Sequence, residues 1–282
     1  MPGRSYPTAR QRRLGAELRK MRERAGMSGA EAAAFLGGQR AQISHIESGR
    51  FGVSADRVRR LASHYSATDR HLIDALAAMA DERGKGWWEE YRGILAPEFL
   101  DLSELEHHAS YLRSIQLMVI PGIFQTESYA RSLISSGIDD LPGSEIDARV
   151  QHRMQRRRIF DRPKPAPFEA FIHEAALRLR YTDADVMREQ LAFLNEVSLW
   201  PTVTIRVIPF SARITGSAES ALYAGADLPA LDSVQRDHAF GSGILDAEAH
   251  LVRYRALFDS IASISLDAEE SSKLIQRTEQ EM

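Results

Sequence analysis

Hydrogen-bonding side chains are concentrated in the stretch GGQRAQISHIESGR, residues 37–50. If this stretch is helical, successive residues turn by about 100°, so Ile43 and Ile46 define a buried direction. Guanidinium, amide, hydroxyl and imidazole groups on the opposite side are the groups that read base edges in the major groove of DNA. That side carries Ala41, Ser44, His45 and Ser48. The spacing predicts a DNA-reading helix, and the alternative is a helical bundle with a solvated polar face.

Arg40 has the position of greatest consequence, because the N-terminal tip of a recognition helix enters the groove most deeply. Its guanidinium can grip guanine O6 and N7 together, and the methyl group of Ala41 can meet a thymine methyl. Ser44 and His45 suit a base edge or a phosphate, and Gln39 suits a base or the backbone. The other expected contacts are phosphate-binding arginines at Arg50 and in the N-terminus, a sideways positioning contact from Gln42, and contacts from Ser28 and Ser48.

Short helices must hold this segment, and the sequence predicts five of them in the first 83 residues. Leu14, Leu18 and Met21 recur at helical spacing up to Gly26, and Ser28 with Glu31 forms a capping box for the next helix. Two helices joined by a tight glycine turn, the second short and polar, make a helix-turn-helix arrangement. We expect a basic flexible arm over 1–12, the helix-turn-helix domain over 13–83, a linker over 84–98 and a larger α+β domain over 99–277.

The charge distribution supports a two-part chain. The 282 residues carry a net charge of −3, but residues 1–70 contribute +8 and the remainder −11. A basic N-terminal part followed by an acidic remainder is typical of a polyanion-binding module that is fused to a second domain. The chain has no cysteine, which excludes disulfides and thiolate chemistry. The N-terminus lacks the apolar core of a secretory signal, so we expect a cytoplasmic, nucleoid-associated protein.

The second part reads as α+β. FEAFI and TVTIRVIPF alternate like strands, ALYAG and SVQRDHAFG are weaker strand candidates, and LSELEHHASYLRSIQLM reads as helix. Trp87 and Trp88 need burial, so we expect the linker to dock on this second domain rather than to float free. No Walker-type or dinucleotide glycine pattern and no metal-ligand spacing occurs, so we expect no enzyme activity, no cofactor and no metal.

The segment MSGAEAAAFLGGQRAQISHIESGR closely resembles the XRE-type helix-turn-helix of Cro and phage repressors. The resemblance rests on Ala33, on Leu36-Gly37 and on the block from Ile43 to Gly49. It implies an all-α, five-helix, lambda-repressor-like domain that binds double-stranded DNA sequence-specifically. The sequence departs from that pattern at Gly29, where a glutamine is usual, and at Gln39, where a serine or threonine cap is usual.

Residues from about 87 to 275 resemble the C-terminal, antitoxin-like domain of actinobacterial XRE regulators. The matching stretches are PGIFQTESYAR, RMQRRR, REQLAFL and VTIRVIPF. The resemblance implies a domain for protein interaction and ligand sensing. Such domains usually end in a tidy strand pair, and the stretch LYAGADLPALDSVQRDHAFGSGILDA departs from that expectation.

An arginine cluster offers a candidate dock for an acidic partner, with a solvated face and internal salt bridges as the alternative. Its members, spaced on one helical face, are Arg149, Arg153, Arg156 and Arg157.

Three functions stay open for the whole chain. The leading one is a homodimeric transcriptional regulator on a pseudo-palindromic operator, with recognition helices roughly 34 Å apart. The others are an antitoxin that neutralises a small cognate protein and autoregulates its operon, and an enzyme with a DNA-binding appendage.

Overall fold

The computed structural model describes residues 6–82, 86–137, 140–213, 219–238 and 241–282. The N-terminal domain is all-α and carries a hydrophobic core of its own. Its helices are α1 (Ala9–Arg24), α2 (Gly29–Phe35), α3 (Arg40–Glu47), α4 (Ala55–His64) and α5 (Arg70–Asp81). The capping box of Ser28 and Glu31 begins α2 as predicted, and Gly26 and Gly37 take positive φ values where α1 and α2 end.

Helix α1 begins earlier than the sequence suggests. Thr8 caps it, and the side chain of Gln11 bonds back to the Thr8 backbone. Residues 9–12 are therefore helical, and the prediction of a flexible arm was wrong for them. Residues 1–5 of that arm lie outside the described residues, as do residues 83–85 at the predicted linker.

The segment after residue 86 docks on the second domain, as its tryptophans predicted. A 3₁₀ turn over Trp87–Tyr91 buries Trp88 and Tyr91. These two side chains form a small core with Leu95 and Leu100, against which Phe99 and Ala148 also pack.

The C-terminal domain is a mixed sheet covered by helices, which confirms its α+β character. The strands are β1 (Tyr111–Gln116), β2 (Phe168–His173), β3 (Val203–Ile208), β4 (Ala221–Gly225), β5 (Ser233–His238) and β6 (Gly241–Leu245). Their spatial order is β3-β2-β1-β4-β5-β6, parallel among β1, β2 and β3 and antiparallel from β1 through β4, β5 and β6. The helices are α6 (Pro97–His108), α7 (Glu127–Ser135), α8 (Gly143–Gln155), α9 (Glu174–Arg178), α10 (Ala184–Val197), α11 (Glu248–Ile264) and α12 (Ala268–Gln280).

The prediction of one helix through LSELEHHASYLRSIQLM was wrong in its second half, which is β1. Helices cover both faces of this strand: Leu112 packs with the core beneath α10 and α12, and Ile115 packs on the other side with α11. A strand covered on both faces lacks the apolar–polar alternation that marks a half-exposed one.

The expected departure near the end of the domain was also wrong. The stretch from residue 222 to 247 contains the antiparallel strands β4, β5 and β6, so it extends the sheet. Residues 239 and 240, between β5 and β6, lie outside the described residues. No helix in the described part of the chain is long and apolar enough to cross a membrane.

Candidate DNA-binding surface

Helix α3 is held by its inner face. Ile43 and Ile46 are each only 2% exposed and belong to the core of the N-terminal domain, as the helical spacing predicted. Burial of two aliphatic side chains contributes on the order of 3–6 kcal/mol before the entropy of ordering them is subtracted. The helix is short, so this burial fixes which of its sides faces outward.

The C-terminal end of α3 is fixed by an ion pair with α1. Nε and Nη2 of Arg22 donate to the two carboxylate oxygens of Glu47 at 2.6 and 2.9 Å, and Nη1 donates to the carbonyl of Met27 at 2.7 Å. The hydrogen bond with Glu47 raises the pKa of Arg22. The inward direction of Glu47 was predicted, but its partner was not.

Two glycines allow α1 to approach this end of α3 closely. A Cβ atom on Gly15 would lie 2.5 Å from the carbonyl oxygen of Glu47. Gly49 takes φ +74, and a Cβ there would lie 2.9 Å from the α1 backbone at Gln11. A side chain at either place would push α3 away from α1.

The outer face of α3 is open. The exposed side chains are those of Arg40, Ala41, Ser44 and Ser48, with Gln39 at the N-cap position. Gln39 makes no side-chain capping bond, in keeping with its departure from the usual serine or threonine. Ser28 is exposed at the start of α2, although its hydroxyl already accepts the backbone N–H of Glu31. The structure therefore brings these predicted contacts onto one surface.

Gln42 and His45 are half-buried and already have neighbours. The imidazole of His45 stacks on the ring of Phe51, with centroids 4.6 Å apart and planes 18° from parallel. Gln42 lies against Gly38, in the turn before α3. These contacts fix both side chains beside the reading face, which favours positioning roles for them.

Arg40 and Arg50 differ from the arginines of α1. Within the described part of the chain neither guanidinium makes a hydrogen bond or ion pair, and both residues are exposed. By contrast, Arg10 pairs with Glu82, Arg12 with Asp101, and Arg13 with Asp246. These ion pairs disfavour the predicted phosphate contacts of the three arginines, because Glu82 at the end of α5 and Asp101 and Asp246 of the C-terminal domain already bind them.

Arg13 connects the two domains. Its guanidinium is buried and donates to the backbone carbonyls of Ala230 and Asp246, both in the C-terminal domain. Asp101 of α6 accepts the Ala9 backbone N–H at 2.8 Å, at the first residue of α1. Leu228 and Leu231 pack against the N-terminal core.

The predicted dock at Arg149, Arg153, Arg156 and Arg157 is not a free basic cluster. Arg156 forms a buried ion pair with Glu106 at 2.5 Å, and Arg149 pairs with Glu145 at 2.6 Å. Arg153 donates to the Gln125 side chain at 2.7 Å, while Arg157 donates to the Ile123 and Gln125 carbonyls. Burial lowers the pKa of Arg153 to about 10. The prediction of a dock for an acidic partner was therefore wrong, because these side chains bind neighbours within the domain.

Titratable groups elsewhere among the described residues give no candidate metal centre. The described residues contain no group of three or more histidine, cysteine, aspartate or glutamate side chains that could hold a metal ion. His107 and His108 are adjacent, and burial lowers the pKa of His108 to about 3, so its ring is neutral at pH 7.

A short helix following a tight turn, anchored by two isoleucines and polar on its outer side, defines a helix-turn-helix domain. A family model described as "Helix-turn-helix domain" matches residues 13–76. A second, described as "Domain of unknown function (DUF5753)", matches residues 99–277, and the chain belongs to that family. Comparison with curated proteins and with solved structures gives no match. Dimerisation, ligand sensing and the antitoxin alternative have no support from these matches and stay predictions.

The residues that sequence reasoning missed are those that orient the domain: Gly15, Arg22 and Arg13. Gly15 gave a signal, because a glycine inside an amphipathic helix often marks a close approach. The two arginines gave none, since their partners are remote in sequence.

Proposed function

We propose that the protein is a sequence-specific, DNA-binding transcriptional regulator whose α3 reads bases in the major groove. The observation that carries this proposal is the outer face of α3, where Arg40 is exposed and has no partner within the described residues while the inner face is fully buried. An unpaired guanidinium at the tip of a recognition helix suits bidentate binding to guanine.

The remaining contacts divide by position. Ala41 and Ser44 are exposed beside Arg40 and suit base contacts, the first through its methyl group. Arg50 lies beyond the end of α3 and suits a phosphate, which positions the helix without reading sequence. The C-terminal domain packs on α1 and near α5, so it leaves this face open.

We infer that two chains act together through their C-terminal domains, in keeping with the five-helix, repressor-like head. One α3 offers few base contacts, and a pair placed roughly 34 Å apart on a pseudo-palindromic site would double them. In this proposal the C-terminal domain also senses a ligand, has no catalytic role, and the protein is nucleoid-associated. A ligand can switch DNA binding only if it prefers one arrangement of the heads.

The test is selection of binding sites from a random double-stranded DNA library, followed by anisotropy titrations on the selected site. Arg40→Ala should cost roughly 1–3 kcal/mol on that site and blunt preference at one base pair. Arg253→Ala, which removes an exposed arginine of α11, is matched in charge and should bind like the wild type. Equal losses on selected and random DNA would refute base reading by Arg40.

A further inference from the structure

A cavity of about 200 Å³ lies between the two domains. One wall comes from the start of α1 and from Ala75 and Met79 of α5, and the other from Leu105 of α6, Ala224 of β4 and Ile244 of β6. Small side chains at positions 75 and 224 leave the space open. An apolar cavity of about 150 Å³ can hold a benzene molecule, so this one has room for a substituted ring.

The polar part of the wall has more acid than base. Two arginines, Arg10 and Arg13, face four carboxylates, those of Asp101, Glu104, Asp227 and Asp246. His108 also lines the cavity and is neutral at pH 7 because burial lowers its pKa to about 3. Negative charge in excess of positive charge favours a cationic ligand over an anionic one.

Glu104 has the unused hydrogen-bonding capacity. The carboxyl group is hydrogen-bonded to the side chain of Thr8 and to the backbone N–H of Arg10, but its Oε2 atom is buried and has no partner within the described residues. Burial raises the pKa of this carboxyl group, and the hydrogen bond from Thr8 and the charge of Arg10 offset only part of that rise, so a further cation beside it would stabilise the ionised form. A buried acceptor without a donor costs about 1–3 kcal/mol, which a ligand that donates to it would relieve.

The two arginines of the cavity wall already have carboxylate partners. Arg10 donates to Glu82 at 2.5 Å, and Arg13 pairs with Asp246 at 2.8 Å. Asp101 is also engaged, with Arg12 and with the first backbone N–H of α1, and Asp227 is exposed and accepts the hydroxyl of Ser110. Glu104 therefore remains as the carboxyl group best placed to take a new donor.

We propose that this cavity binds a small primary amine with an apolar body about the size of one ring. The ammonium group donates to Glu104, and the ring packs against Ala75, Leu105 and Ile244. Such a molecule would touch both domains at once, beside the Arg13 contacts that dock the head on the body. The regulatory step, a change in DNA affinity when the amine binds, rests on the proposed function, whereas amine binding itself does not.

Benzylamine is the probe, with benzyl alcohol and benzoate as neutral and anionic analogues. Each probe is titrated into the full chain without DNA, and binding is measured by calorimetry. Benzylamine should bind more tightly than benzyl alcohol, and benzoate should not bind. Glu104→Gln should lower benzylamine affinity by about tenfold or more, the size expected for one charge-assisted hydrogen bond, and leave benzyl alcohol unchanged. Equal binding of all three probes would overturn the proposal.

Ala75→Leu fills the cavity and should abolish benzylamine binding, while Ala192→Leu, on an exposed site of α10, should not. Nuclear Overhauser effects from benzylamine to the methyl groups of Ala75, Ala224 and Ile244 locate the probe in the wild type, whether or not Ala75→Leu folds. If benzylamine shows nuclear Overhauser effects only to other methyl groups, it does not bind in this cavity and the proposal is overturned. Because these measurements use no DNA, their failure is separate from a failure of Arg40→Ala to alter DNA recognition.

Discussion

Replacing Arg22 with methionine should loosen α3 while the rest of the chain stays folded. Methionine keeps much of the arginine stem but removes the guanidinium, which makes hydrogen bonds of 2.6 and 2.9 Å to Glu47 and one of 2.7 Å to the Met27 carbonyl. The carboxylate of Glu47 then stays largely buried without its partner, at the end of α3 that packs on α1.

The size of the effect follows from burial. Removing one partner of a fully buried ion pair costs about 3–5 kcal/mol, whereas exposed pairs contribute less than about 1 kcal/mol. The side chains of Arg22 and Glu47 are 12% and 11% exposed, so solvent still reaches the pair. We expect a loss of about 2 kcal/mol. Since 1.4 kcal/mol is about tenfold, amides of residues 40–47 should exchange with solvent about thirtyfold faster.

The assay is hydrogen–deuterium exchange of the full chain, read by peptide, with β2 as an internal reference. The matched control is Arg19→Met, which breaks the Arg19–Glu23 pair on the same helix, where the side chains are 62% and 51% exposed, and leaves the Glu23 carboxylate beside Arg22. That control should exchange like the wild type. If Arg22→Met leaves residues 40–47 as protected as the control does, the pair does not position α3. Faster exchange in β2 as well would contradict a local effect.

Three further predictions concern other parts of the molecule. Arg50→Ala should weaken binding to all DNA sequences alike and lower the salt slope by about one, and a sequence-dependent loss in anisotropy titrations would contradict a phosphate role. Arg13→Gln should weaken the docking of the head on the C-terminal domain, because its carbonyl and Asp246 contacts are lost while those of Asp101 remain; an unchanged small-angle scattering profile would contradict this. Burial lowers the pKa of His152 to about 3, below its ordinary 6.5, so the unfolded chain takes up the proton first. The contribution of His152 to stability should therefore fall as pH drops below about 6.5 and stop changing near 3, and His152→Gln should flatten the slope of stability against pH by up to about 1.4 kcal/mol per pH unit in that range. Urea titrations followed by tryptophan fluorescence measure it, and an identical slope in the variant would mean that His152 takes up no proton.

Local patterns in the sequence predicted much of the head. The spacing of Ile43 and Ile46 gave the buried side of α3, and Ser28 with Glu31 gave the start of α2. Each depends on residues within one or two helical turns, which chain geometry alone brings together. The strands β2 and β3 were recognisable for the same reason.

The boundaries that failed were those decided by distant neighbours. The sequence of β1 predicts helix, because burial on both faces, between the cores beneath α10 and α11, removes the apolar–polar alternation of a half-exposed strand. Arg13 and Arg10 looked like phosphate ligands until the fold supplied Asp246 and Glu82. The spacing of the arginines from 149 to 157 predicted a dock, but in the folded domain they bind Glu106 and the carbonyls around Gln125.

The sequence by itself thus determined that the chain has a basic helical head with a reading helix and an α+β body, because charge, capping and periodicity are local properties. Only the tertiary structure decided which arginines remain free for DNA. Whether a guanidinium is available depends on carboxylates and carbonyls that folding brings from up to 233 residues away, as with Arg13 and Asp246. Arg40 and Arg50 stay open because the body packs on α1 and near α5 instead of on their side of the head.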